Sequence, residues 1–155
     1  MSETTKTPNL SYQALALMSK LFYEKYGEEA LPVIREVWFK MGLASGARLK
    51  KEVDCDFKTT AELFVERDKK LGYQGMRYLI SEDCYHSIAP AGLKCNVGLE
   101  NAGLPVCRAV MSLNQGQFEA VFGDKVDLEI VKSRAAGDER CEIILRPQKG
   151  SKSKK

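Results

Sequence analysis

Two sets of side chains in this sequence could do chemistry. Cys84 and His86 stand two apart in the segment EDCYHSI. In an extended segment residues i and i+2 leave the same face, which puts a thiol beside an imidazole, the minimum for an activated nucleophile. Asp83 then points the other way. The second set is Cys95, Cys107 and Cys141, too far apart in the chain to meet except through tertiary structure. Three converging thiolates, with or without His86, would suit zinc, iron or another thiophilic metal in a partly open site. Each of these residues also has a plainer use. Cysteine is among the most often buried residue types, so Cys84, Cys107 and Cys141 also read as small core residues and His86 as a half-exposed strand residue.

Composition narrows the chemistry. His86 is the one histidine, so a site with two or three imidazole ligands is excluded and any His-dependent catalysis runs through it. The cysteines, Cys55 included, number five and never form a CxxC pair. In a chain that starts MSETTKTPNLSYQ, without a basic and then apolar leader, they read as reduced thiols, and the expected compartment is the cytoplasm. No phosphate-cradling glycine loop, dinucleotide fingerprint or Ser/His/Asp signature appears in the sequence.

The elements that must position these residues follow from periodicity. The 155 residues are 44% hydrophobic and 29% charged, enough for a single globular domain with its own core. The expected domain spans 1–147, followed by a flexible Lys-rich tail over 148–155. Four lysines of that tail (Lys149, Lys152, Lys154, Lys155) account for the formal charge of +3, and the rest of the chain comes to −1. A nucleic-acid binder would carry a basic face on the domain, so no nucleic-acid partner is expected. No run approaches the roughly 18 to 20 apolar residues of a membrane span.

Three helices are predicted before residue 73. The first is capped by Asn9 or Ser11, carries Ala14, Leu15, Met18, Leu21 and Phe22 at helical spacing and stops at Gly27. The second starts near Glu28 with Pro32 in its first turn and a stripe of Leu31, Ile34, Val37, Trp38 and Met41, its end blurred by Gly42 and Gly46. The third has the capping-box pair Thr59 and Glu62, then Leu63, Phe64 and Leu71 before Gly72.

From Tyr73 the period becomes two, with Met76, Tyr78 and Ile80 on one face of a strand that runs to Glu82 or beyond. A short helix is expected around Lys94 to Asn101. Another starts at Pro105, runs through Val106, Val110 and Leu113, and resumes after Gly116 through Phe118, Val121 and Phe122. A hairpin closes the domain, Val126, Leu128 and Ile130 facing Cys141, Ile143 and Leu145 across the turn AAGD. The predicted class is α+β, amino-terminal helices packed on a small antiparallel sheet with a carboxyl-terminal β-hairpin. Trp38, Phe22, Phe39, Phe57, Phe64 and Tyr78 would fill its core or line a pocket between helices and sheet.

The segments Lys94–Cys95, AGLPVC at Ala102–Cys107 and RAAGDERCEI at Arg134–Ile143 carry a resemblance. Over residues 84–145 the chain resembles the L-2-amino-thiazoline-4-carboxylic acid hydrolase family and, more distantly, the vinyl-reductase-type ligand-binding domain of bacterial sensors. That resemblance implies a pocket between helices and sheet that binds a small organic molecule. It also implies hydrolysis of a cyclic amidine or related heterocycle by a Cys thiolate or metal-bound water, with Cys107, Cys84 and His86 as the catalytic candidates. Hydrolase-like members carry a further Cys and Asp where this chain has Met111 and Asn114. The zinc ligands of the sensor branch fall at Cys107, Ile130, Ser133 and Cys141, so two of four are thiols here. The alternative is a non-enzymatic metal-binding sensor or accessory subunit, forming a homodimer or pairing with a partner enzyme.

Overall fold

The computed structural model describes residues 10–50 and 55–150. The Asn9 cap and the tail beyond Gly150 lie outside the described residues. Helix α1 (Leu10–Tyr26) leads through a 3-10 turn (Gly27–Ala30) into α2 (Leu31–Leu49), and α3 (Phe57–Lys70) follows. Strands β1 (Arg77–Ser81) and β2 (Cys84–Ile88) precede α4 (Leu104–Val110) and α5 (Ser112–Phe122), and β3 (Val126–Lys132) and β4 (Glu142–Pro147) complete the chain. The strands form one antiparallel sheet in the order β1-β2-β4-β3. This is the α+β class that the periodicities predict.

Helix α2 runs straight through Gly42 and Gly46. A Cβ at Gly42 would press on the backbone of Leu113 and Gln117, one at Gly46 on the backbone of Gln117, and one at Gly116 would come within 2.5 Å of the Phe39 carbonyl oxygen. These three glycines therefore mark a close crossing of α2 and α5, not a helix end. Any larger residue at these positions would need about 1 Å of extra separation to reach an ordinary C···O contact of about 3.3 Å.

Two apolar clusters hold the layers together. Phe57 and Phe64 of α3, Phe118 and Phe122 of α5, and Tyr85, Val126 and Leu145 of the sheet form one. Its rings meet at centroid distances of 4.9 Å (Phe57–Phe118) and 5.1 Å (Phe64–Phe118), the spacing aromatic pairs prefer. The other gathers Ala16, Ile34, Trp38, Leu99, Val106, Val110 and Ala135. There Trp38, fully buried, donates its indole N–H to Ser19 Oγ at 3.0 Å, which fixes α1 on α2.

The structure corrects several expectations. Ser11 lies inside α1, and the expected buried stripe is turned outward at Met18 and Leu21, which are 67% and 53% exposed, because Ala16 and Ser19 face α2 instead. Residues 28–30 form a 3-10 turn, and α2 starts at Leu31. The cap of α3 is Asp56, whose Oδ1 accepts from the Thr59 N–H at 2.7 Å, one turn before the expected capping box. The strand expected from Tyr73 starts at Arg77 and is the first arm of a hairpin, turning at Glu82 and Asp83. Residues 94–101 form turns, not a helix. The break between α4 and α5 falls at Met111, leaving Gly116 within α5. The closing hairpin has the predicted face pattern, with Val126 opposite Pro147 and Ile130 opposite Ile143.

Candidate functional site

The turn after β3 assembles the first constellation. Ser133 accepts the Ala135 N–H on its hydroxyl at 3.1 Å and so caps a short 3-10 turn (Arg134–Ala136), while Asp138 Oδ2 accepts the Ser133 N–H at 2.8 Å. Gly137, at φ +91°, closes that turn in a conformation side chains disfavour. The 95–103 loop is pinned to it by Asn101 N–H to Arg134 O at 3.1 Å and Gly103 N–H to Ala135 O at 2.9 Å. Gly103, at φ +104°, then swings the chain into α4, where Pro105 sits in the first turn and needs no N–H partner.

Cys107 on α4, Cys141 just before β4 and Cys95 in the loop are thereby brought into one neighbourhood. The charges of Cys95 and Cys141 would act on Cys107, and that of Cys95 on Cys141. Ser133 donates its hydroxyl to Cys107 Sγ at 3.2 Å, and the Cys95 N–H is held by Glu100 Oε1 at 2.8 Å. Burial pushes the Cys107 thiol up to about 11, outweighing the Ser133 hydrogen bond, with the neighbouring cysteines adding to the rise. Burial raises Cys141 as well, against the Arg134 backbone N–H that faces it. At neutral pH Cys107 and Cys141 are protonated, weakly polar thiols, and Cys107 packs in apolar surroundings that include Leu99, Val106 and Ala135.

The second constellation lies on the sheet. Tyr85 and Ser87 are buried toward the helices, so Cys84 and His86, alternating with them on β2, stand on the opposite face. That shared face is the one the spacing predicts. His86 Nε2 lies 2.7 Å from Glu142 Oε1, and Arg140 Nη2 stands 3.6 Å from the other carboxylate oxygen. The His86 hydrogen bond holds the Glu142 carboxyl below its usual range. His86 is thus engaged by Glu142, while Cys107 is engaged by Ser133.

Sequence reasoning missed Glu142, and it singled out Ser133 only as a position of the sensor-branch ligand set, not as the hydrogen-bond partner of Cys107. Glu142 alternates with apolar neighbours like any solvent-facing strand residue, and only the β2–β4 pairing, formed across more than fifty residues, brings it to His86. Among the described residues no three His, Cys, Asp or Glu side chains are grouped to hold a metal ion. Ser133, at a position where the sensor-branch resemblance places a ligand, gives Cys107 a hydrogen bond, and Ile130 on β3 offers no donor atom. The residues as placed do not fit a closed zinc or iron centre, which needs four donors. No described helix is long and apolar enough to cross a membrane.

No protein-family model and no curated protein matches the sequence. Solved structures do. The phenol-responsive sensory domain of the transcription activator PoxR, crystallised with phenol, superposes with a TM-score of 0.58 at 17% identity, covering 91% of this chain and 76% of that one. A trafficking protein particle complex subunit 3 from Naegleria fowleri, covalently bound to palmitic acid, superposes with a TM-score of 0.54 at 19% identity, covering 90% of this chain and 96% of that one. At such identities the shared property is the fold, and this chain has the small α+β fold of both.

Proposed function

We propose that the chain is a small-molecule-binding domain whose ligand site is built around the thiol cluster. The observation that carries this reading is the packing of Cys95 and Cys107 against Leu99, Val106 and Ala135, with Cys141 near enough for its charge to act on the Cys107 thiol, which gives a polarizable, largely apolar wall. The fold shared with a phenol-bound sensory domain and a palmitate-bound subunit supports it, and so does the resemblance of the same segments to the aminothiazoline-carboxylate hydrolases. The expected ligand is a small, largely apolar organic molecule.

Amide chemical shifts recorded with phenol and with decanoate test the reading. Shifts confined to residues 95–107 and 133–141, weakened in Cys107→Ala with the melting temperature kept, are the expected result. Unchanged binding in Cys107→Ala, or no shift with either probe, would remove it. Hydrolysis is the second reading, with Cys107 as nucleophile and His86 as general base. It is supported by the family resemblance alone, since burial keeps the Cys107 thiol protonated and His86 pairs with Glu142. Pairing with a second copy or a partner subunit belongs to the proposal too. Leu17, Met18 and Leu21 on α1 are 56%, 67% and 53% exposed and would supply the apolar surface. A monomeric mass in light scattering would remove the second copy.

A further inference from the structure

Between the start of α2, the middle of α5 and the turn before β3 lies an open groove of about 470 Å³, lined by Arg35, Glu36, Phe39, Gln115, Glu119 and Lys125 among others. Its unusual member is Glu119, a carboxylate only 7% exposed. Glu119 Oε1 accepts the Val126 N–H at 3.2 Å, whereas Oε2 is buried without a hydrogen-bond partner. The nearest cation, Lys125 Nζ, stops 4.0 Å away, beyond hydrogen-bonding reach, and lies 5.8 Å from the centroid of the Phe39 ring. An orphaned buried carboxylate oxygen costs free energy, and an aromatic face beside it adds attraction for a cation. The Lys125 side chain is 67% exposed, so its ammonium is held there loosely.

We propose that this groove is a binding site for a small primary amine, whose ammonium group takes the place of Lys125, donates to Glu119 Oε2 and rests on Phe39. Lys125 acts as a weak built-in occupant. A free amine can approach to about 2.8 Å, the length of a charge-assisted hydrogen bond, where the tethered lysine does not. Burial raises the Glu119 carboxyl above the usual carboxylate range, so a donor in direct contact has the most to return to it. Glu36, on the same groove and now paired with the exposed Lys40 at 2.6 Å, offers a second anchor for a diamine. The site is separate from the thiol cluster and does not depend on it.

The test is an amide-shift titration of the folded chain with n-butylammonium chloride, with tetramethylammonium and n-butanol as the cation without donors and the donor without charge. Butylammonium is expected to shift the amides of Gln115, Glu119, Lys125 and Val126, and the two controls to shift them much less. Lys125→Met removes the occupant and is expected to tighten butylammonium binding by about threefold to tenfold, since apparent affinity rises with the fraction of empty site. Glu119→Gln keeps the acceptor for Val126 and should abolish binding. Equal or weaker binding in Lys125→Met, persistence in Glu119→Gln, or tetramethylammonium binding as well as butylammonium would each overturn the proposal. Tighter binding of Nα-acetyl-lysine amide than of butylammonium would overturn the small-amine assignment in favour of a protein lysine. Melting temperatures of both variants show whether either has lost its fold.

Discussion

Replacing Gly42 with alanine sets two effects of opposite sign against each other. Alanine is favoured over glycine in a helix interior by about 0.8–1 kcal/mol, so propensity alone makes the variant more stable. The added methyl, however, would stand 3.0 Å from Leu113 C and from Gln117 N and closer still to the Leu113 carbonyl oxygen. All three are backbone atoms of α5, which cannot rotate aside as a side chain would. The helices must part by about 1 Å before that oxygen reaches an ordinary C···O contact of about 3.3 Å. Overpacking of this kind costs about 1–3 kcal/mol, and with backbone on both sides the upper end applies. After the propensity gain a net loss of about 2 kcal/mol remains, a fall in melting temperature of about 4–8 °C for a chain of this size. Calorimetry on wild type, Gly42→Ala and the control Ala44→Gly, at an exposed position of the same helix, measures it. The control loses only the propensity difference, about 1 kcal/mol. A Gly42→Ala protein as stable as wild type would refute the close crossing of α2 and α5.

Three other outcomes follow from the site. Because burial pushes the Cys107 thiol up to about 11, its alkylation by iodoacetamide, read by mass spectrometry, rises about tenfold per pH unit between about pH 8 and 10, and a rate already level at pH 8 would show an ionised thiolate. His86 lowers the Glu142 carboxyl below 4.5, so that pair contributes stability above this value that is lost as pH falls through the lowered one. Glu142→Gln is therefore destabilised near neutrality with a deficit that shrinks below about pH 4, and a deficit constant with pH in denaturant titrations would contradict the pairing. Ser133→Cys places a third thiol against Cys107 and should compete for zinc with a chromophoric chelator more strongly than wild type. Equal competition would show that the loop does not present these side chains to one ion.

What was legible in the sequence was what depends on local period. Alternation through Val126–Ile130 and Ile143–Leu145, with Gly137 between, defines the closing hairpin and its inward face. Likewise Pro105 announces α4, and Cys84 and His86 emerge on one face because a strand allows nothing else. The misreadings came where tertiary contact overrides local preference. Gly42 and Gly46 look like helix breakers until α5 is seen to lie against them. Glu82 and Asp83 carry no glycine or asparagine to signal a tight turn, so the first hairpin was hidden. The partners of the candidate chemistry, Ser133 for Cys107 and Glu142 for His86, come from distant segments with unremarkable spacing. Glu119 was invisible for another reason: its interest is the hydrogen bond it lacks.

The strand order β1-β2-β4-β3 has a consequence for biosynthesis. β4 lies between β2 and β3, so the two hairpins cannot join until residue 147 has left the ribosome. Until then β2 and β3 each present an open edge, the geometry that invites pairing with another chain. The helices can settle on one another earlier, whereas the sheet closes in one late step that spans more than fifty residues of sequence. A chain stalled before Glu142 would be a helical cluster with two unsatisfied edges, the form of this protein that chaperones would have most reason to hold.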